Sequence, residues 1–311
     1  MYEGEFSNGK RNGKGKEHYR GGYLKFEGEY LNGESWNGNA EEYRDFHFKH
    51  PIFIGEYKSG KKWNGKGYDL DNNIVYELKE GKGYAKEYNE YGLLSFEGEY
   101  LNGEKNGKAK EYYERGDLAF EGEYKDGKKW NGKGYDNKNS VIYELNNGKG
   151  KFKIYDYYND RIIFEGEYIN GDINGKGKEY YGSDKLEFEG EYLNGKRNGK
   201  GKNYNFDGKL EFEGEYLHGK YWNGQYKDYM PYGKLKKEIE IKNGKLEGIG
   251  KEYDDEGNLI FVGEYLNRKK IKGKEYLNGI LIFEGEYLND KKNGKGKQYD
   301  YKTNIWRWIY K

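Results

Sequence analysis

The chain has 311 residues, with 50 Gly, 37 Tyr and 6 Trp; the apolar set reaches only 33% while charged residues make up 36%. Disordered chains combine low hydrophobicity with high net charge and few aromatics, whereas here 56 Lys and Arg meet 55 Asp and Glu and aromatics reach 18%, which argues against disorder. A net charge of +1 supplies no field to steer the chain to nucleic acid or an anionic bilayer, and the absence of cysteine excludes a disulfide framework and a thiolate metal site.

The first residues, MYEGEFSNGK, enter a repeat almost at once. They show no apolar leader core, the chain has no stretch near membrane-spanning length, and no Asn-x-Ser/Thr acceptor occurs. The expected place is intracellular, in the cytoplasm or peripheral to a membrane, the cytoskeleton or a large assembly. Along the chain a Gly-Glu-Tyr/Phe triplet recurs at Gly4, Gly28, Gly55, Gly98, Gly122, Gly166, Gly190, Gly214, Gly263 and Gly285. Degenerate copies fill the longer intervals at Tyr76–Tyr88, Tyr143–Tyr155 and Ile239–Tyr253. Self-similarity of this kind is the signature of a repeat architecture, here of about thirteen units.

Four early and middle units carry Trp-Asn-Gly, at Trp36, Trp63, Trp130 and Trp222. Gly33 to Gly38 spans five residues where Gly9 to Gly13 spans four, so an extra residue is expected to form a bulge that turns the indole outward. Such a row either docks a partner or a membrane interface, or packs on its own bulge. Between Arg44 and Ile54 the pattern becomes irregular around Pro51, and His47 with His50 forms the one close histidine pair, without flanking ligands to complete a metal shell.

The clearest unit begins at Leu186. Leu186, Phe188, Gly190 and Tyr192 alternate with Glu187, Glu189 and Glu191, the period of a strand with two different faces. Asn194-Gly195 suits a two-residue type I′ turn. That turn sets Glu189 opposite Lys200, Glu187 opposite Lys202, Gly190 opposite Gly199 and Phe188 opposite Gly201. Asp207-Gly208 reads as a second such turn, placing Lys202 against Glu213 and Lys200 against Glu215. Glycine within a strand marks close approach of another group, so Gly190, Gly199 and Gly201 form the expected floor beneath Phe188. The tyrosines Tyr30, Tyr57, Tyr100, Tyr124, Tyr168, Tyr192, Tyr216, Tyr265 and Tyr287 then recur on one face. They either line an amphipathic groove for an extended peptide, with Tyr100, Tyr124, Tyr168, Tyr192 and Tyr216 at its centre, or form the core.

The second irregular stretch, Lys227–Lys237, holds Pro231. The chain closes on Ile305–Tyr310, an alternation without glycine in which Trp306 and Trp308 either cap the sheet edge or contact a partner. The predicted fold is all-β: an elongated single-sheet antiparallel meander of about thirteen tandem 22–27-residue β-hairpins, on the order of 120 Å long. The repeat ribbon covers residues 1–300 with breaks near 44–54 and 227–237, followed by a capping strand at 301–311.

The run Phe188 to Gly201, FEGEYLNGKRNGKG, closely resembles the MORN (membrane occupation and recognition nexus) repeat, and the resemblance covers residues 2 to 300. Tyr or Phe (Tyr30, Tyr192, Phe6) stands where that repeat usually has Trp, and Asn (Asn12, Asn198) where it usually has His, as in the bacterial and viral MORN-variant repeats. The resemblance implies a groove-bearing β-ribbon that serves as a scaffold, often dimeric, at membranes, cytoskeleton or assemblies, with phosphoinositide binding proposed for relatives.

Catalysis is not expected. A catalytic carboxylate pair is a single site with two environments, while Glu-Gly-Glu recurs here as lattice, and no nucleophile constellation is present. The function expected is a non-catalytic scaffold or adaptor, without cofactor or metal, that presents its ribbon to a protein partner or a second copy of itself. Peripheral binding to anionic lipid head groups is one alternative. A choline- or glycan-binding module is another, although Gly-Trp and Trp-Tyr-Tyr runs are missing. A nucleic-acid binder would need a basic excess that this chain lacks.

Overall fold

The computed structural model describes residues 1–45, 50–156, 161–182, 184–300 and 302–310, with the side chain of residue 45 also outside the description. Among the described residues there is no helix. The strands are antiparallel, and within each sheet every strand is hydrogen-bonded to its neighbours in the chain. Seven strands form a first sheet, from Tyr2–Ser7 to Ile74–Leu78; six form a second, from Gly83–Tyr88 to Val141–Leu145; fourteen form a third, from Gly150–Asp156 to Ile305–Tyr310. The contacts divide the chain into two units, Met1–Asp160 with Tyr168–Asp172, and Arg161–Glu167 with Ile173–Lys311. The all-β meander of hairpins is therefore the fold, but its sheet is interrupted twice.

Both interruptions fall in degenerate hairpins. At Glu80-Gly81 the turn is followed directly by Lys82-Gly83, where the standard unit has Lys196-Arg197-Asn198-Gly199. With that segment deleted, the ladder shrinks to a single bridge, Lys79 with Lys82; Asn146 with Lys149 repeats the pattern. Neither proline stretch breaks a sheet. Pro51 lies in the strand His50–Lys58, opposite Tyr43. Pro231 sits in the turn that Gly233 N–H closes on the Met230 carbonyl at 2.7 Å, between the paired strands Lys220–Tyr229 and Leu235–Lys242.

Asn194 and Gly195 have φ of 50° and 73°, as a type I′ turn requires, and Leu193 pairs with Lys196 and Tyr192 with Arg197. Beyond that the expected register fails. Gly190 pairs with Gly201, Glu189 with Lys202 and Phe188 with Asn203, because Asn198, Gly199 and Lys200 bulge opposite Glu191. The bulge is held by the Glu191 carboxylate, which accepts Lys200 N–H at 2.9 Å and occupies the space a side chain at Gly199 would need. Gly199 itself has φ of 89°, a backbone that favours glycine. Gly199 is thus not part of the floor, whereas Gly190 and Gly201 are: a methyl group on either would strike the Phe188 ring.

The second connection places Lys202 against Glu213 and Lys200 against Glu215, as expected, through a different turn. Only Gly208 has positive φ, and the Asn205 side chain accepts N–H bonds from Asp207 and Lys209. This is an Asx-capped turn with a bulge at Tyr204.

Candidate functional site

One face of every standard hairpin carries an aromatic ladder. Phe188 lies edge to face between Tyr192 at 5.5 Å and Tyr216 of the next hairpin at 5.0 Å; Phe96, between Tyr100 and Tyr124, and Phe261, between Tyr265 and Tyr287, repeat the arrangement. Tyr124, Tyr168, Tyr192 and Tyr216 are buried and Tyr100 half-buried. The ladder is the core of the sheet, and its rings do not line an open groove.

A basic side chain roofs many of these rings. Arg197 lies 4.3 Å from the Phe188 centroid, Lys105 3.8 Å from Phe96, Lys270 4.1 Å from Phe261 and Lys292 4.3 Å from Phe283, within cation–π range. The same cation pairs with a glutamate of the preceding hairpin: Arg197 with Glu179, Lys129 with Glu111, Lys270 with Glu252, Lys292 with Glu275. That glutamate in turn accepts a tyrosine hydroxyl, Tyr265 to Glu252 at 2.8 Å and Tyr287 to Glu275 at 2.9 Å. Burial alone would push these carboxyls up, but cation and hydroxyl together hold Glu111, Glu179 and Glu252 below the ordinary carboxylate range. Burial, then the adjacent carboxylate, pushes Tyr30 up to about 12 and Tyr192 and Tyr265 higher still. These glutamates escaped the sequence reading; the signal was the Lys-Glu-Tyr that ends the second strand of a hairpin, one hairpin before the basic residue that pairs with it. Where the glutamate becomes Asn203, the next hairpin's basic residue becomes Tyr221, which stacks on Phe212 at 4.1 Å.

Trp36, Trp63, Trp130 and Trp222 are each the single unpaired residue of a bulge, as between the pairs Glu29–Asn37 and Tyr30–Ser35. Gly38 pairs with Gly28 as Gly15 pairs with Gly4, so these bulges are shorter than the standard one. The indoles are half-buried. A methyl group on Gly60, Gly81, Gly148 or Gly244 would touch the preceding indole, and each of those glycines donates its N–H to the carbonyl of the same tryptophan. The geometry makes these residues wedges between successive turns. Trp306 and Trp308 are exposed, with Lys297 over Trp308 at 4.4 Å and Tyr299 beside Trp306 at 5.6 Å. His47 lies outside the described residues, and among those described no cluster of His, Asp and Glu could hold a metal ion. Among the described residues no helix is long and apolar enough to cross a membrane.

Two exposed features remain. Before several of the hairpin turns stands a leucine on the glutamate face, and Leu31, Leu101, Leu193, Leu217, Leu266 and Leu288 are 36–59% exposed. In the third sheet each faces a lysine: Leu193–Lys196, Leu217–Lys220, Leu266–Lys269 and Leu288–Lys291. The second feature is a cleft of about 650 Å³ on the aromatic face, lined by Tyr221, Tyr226, Ile239, Ile241 and Leu246 among others.

A family model described as MORN repeat matches residues 2–22, 96–118, 164–184, 188–202, 240–259 and 283–302. No curated protein matches. Among solved structures, the crystal structure of TcdB2-TccC3-Cdc42 is similar at 10% identity and a TM-score of 0.23, over 95% of this chain and 20% of that chain. A Photorhabdus luminescens Tc holotoxin pore is similar at 8% identity and a TM-score of 0.21, over 92% of this chain and 20% of that chain. The chain spans about a fifth of the length of those toxin chains, and similarity at these scores carries no argument.

Proposed function

This chain is a MORN-repeat protein, and we propose that it is a non-catalytic scaffold that holds a protein partner along the turn edge of its hairpins. The observation that supports this reading is the periodic row of exposed leucines. Scattered exposed apolar residues need no explanation, but neighbouring ones along one edge mark an interaction site; Leu193 with Leu217 and Leu266 with Leu288 are such neighbours, with Lys242 at the same position between the two pairs. Successive turns lie two strands apart, about 10 Å, a spacing suited to a partner that runs along the edge. The aromatic face, by contrast, has its rings roofed and its charges paired internally.

The experiment is affinity capture from the native source, comparing the full chain with a variant carrying Ser at Leu193, Leu217, Leu266 and Leu288. Loss of a specific protein from the variant, with circular dichroism unchanged, is expected. An unchanged set of captured proteins would contradict the reading. A second reading, peripheral attachment to an anionic membrane, is favoured by the alternation of leucine and lysine along the third sheet, since an apolar row inserts while lysines meet head groups. Sedimentation with phosphatidylserine-containing and neutral vesicles separates the two: binding only to the anionic vesicles, lost in the leucine variant, supports it.

A further inference from the structure

Departures from the repeat concentrate in one place. In the hairpin Leu235–Lys242 and Lys245–Tyr253, Lys237 stands where other hairpins have the roofed phenylalanine, Ile239 where they have glycine, Ile241 where they have tyrosine, and Leu246 where they have the roofing cation. In the hairpin before it, Tyr221 replaces that cation and Asp228 the glutamate. Other degenerate hairpins refill the space: the rings of Tyr76 and Tyr143 close over Gly67 and Gly134. Here Ile239 is too short to do so, and Lys237 is drawn away to Glu252 at 2.9 Å and over the Tyr265 ring. The result is the cleft of about 650 Å³, within the roughly 300–1,000 Å³ of pockets that take a ligand.

Its floor is apolar, with Ile239 and Ile241 buried and Tyr221, Tyr226 and Leu246 half-buried. Its rim is cationic. Lys220, Lys245 and Arg268 line it at the turn edge, the two lysines from positions paired with Leu217 and Lys242 of the glutamate face; all three stand exposed and make no ion pair among the described residues, while Asp228 is engaged by Lys236 at 3.8 Å. The three cations belong to three successive turns, and so extend over about 20 Å. That span matches about six residues of extended chain better than one compact head group.

We propose that this cleft docks an acidic segment of another protein, one large apolar side chain entering above Ile239 and Ile241 with carboxylates on Lys220, Lys245 and Arg268. The proposal rests on the scaffold reading and names the chemistry of one partner segment. Charge complementarity of this kind sets specificity and speeds encounter.

The test uses the full chain and a fluorescein-labelled peptide of Asp and Glu around one central Trp, read by anisotropy. Saturable binding is expected, weakening as salt is raised because exposed charges are screened. Lys245→Glu with Arg268→Glu, both at exposed positions, is expected to weaken it by at least about tenfold. Lys237→Phe with Ile239→Gly, which rebuilds the standard hairpin and closes the cleft, is expected to abolish it. Peptides with Ala for Trp, or Lys for the acidic residues, are expected not to bind. Equal binding by wild type and both folded variants, equal binding of the lysine peptide, or no saturable binding overturns the proposal. So does displacement of the peptide by inorganic phosphate or by phosphatidylserine vesicles, which would make the site one for anions or lipid. Capture of the native partner is measured on the same variants: if it persists while the peptide fails, only the cleft assignment falls.

Discussion

Tyr216 and Tyr265 occupy the same position of two hairpins, with almost the same burial and the same edge-to-face pairing with the phenylalanine of their own strand, at 5.2 and 5.7 Å. They differ in one atom's surroundings. The Tyr265 hydroxyl donates to Glu252 at 2.8 Å, whereas the Tyr216 hydroxyl is buried and finds no partner, because Asn203 stands where the glutamate would be. A hydrogen bond to a charged group contributes about 1.5–3 kcal/mol, and an unpaired buried hydroxyl costs about 1–3 kcal/mol. Tyr265→Phe is therefore expected to lose on the order of 1–2 kcal/mol, Glu252 keeping Lys237 and Lys270, while Tyr216→Phe is expected to be neutral or stabilising by about 1 kcal/mol. Repeat proteins open locally, so the assay is hydrogen exchange of the flanking strands, compared with urea unfolding of the whole chain. Equal losses in both variants would refute the relay of tyrosine, glutamate and cation as the account of this face.

Three further predictions follow from the same lattice. Phe188→Ala, at a fully buried position, is expected to cost about 3–5 kcal/mol, with protection lost first in the hairpins around residues 186–217; Leu193→Ala is expected to stay within about 0.5 kcal/mol. Because the ladder tyrosines have raised folded-state values, the unfolded chain releases its protons first. Stability is then complete below the ordinary phenol range and lost as pH rises through it, so alkaline unfolding, followed by circular dichroism, should coincide with tyrosinate absorbance. Glu111, Glu179 and Glu252 are held low, so their contribution is complete above the ordinary carboxylate range and disappears as pH falls through their folded values; exchange of the strands around them should rise there, and a flat profile would count against the relay.

Much of the hairpin was legible because its signals are local. Asn194-Gly195 dictates positive φ at both positions, and the alternation from Leu186 to Tyr192 assigns two faces. The register beyond Gly190 was not legible, since Asn198-Gly199 looks like part of a straight strand until the Glu191 carboxylate is seen to fill a bulge. The same misreading made the Trp36 loop seem long. The tyrosine ladder and the Trp-Asn-Gly motifs drew attention as binding residues on chemistry alone, yet the ladder rings are most of the large groups that are buried. The exposed leucines were missed because Leu193 falls on the glutamate face, where an apolar residue reads as noise unless its recurrence before other turns is noticed. The cleft needed the structure, because Lys237, Ile239, Ile241 and Leu246 look like scattered decay of the repeat until the pairing brings them together.

The most direct test of the scaffold account is site-specific photocrosslinking in the native source, with a benzophenone side chain placed in turn at Leu193, Leu217 and Leu266 on the turn edge and at Glu189 and Glu213 in mid-strand on the same face. The account predicts a common protein adduct from the three edge positions and none from the two mid-strand ones. Adducts from Glu189 and Glu213 alone, or lipid adducts alone at the edge, would contradict it.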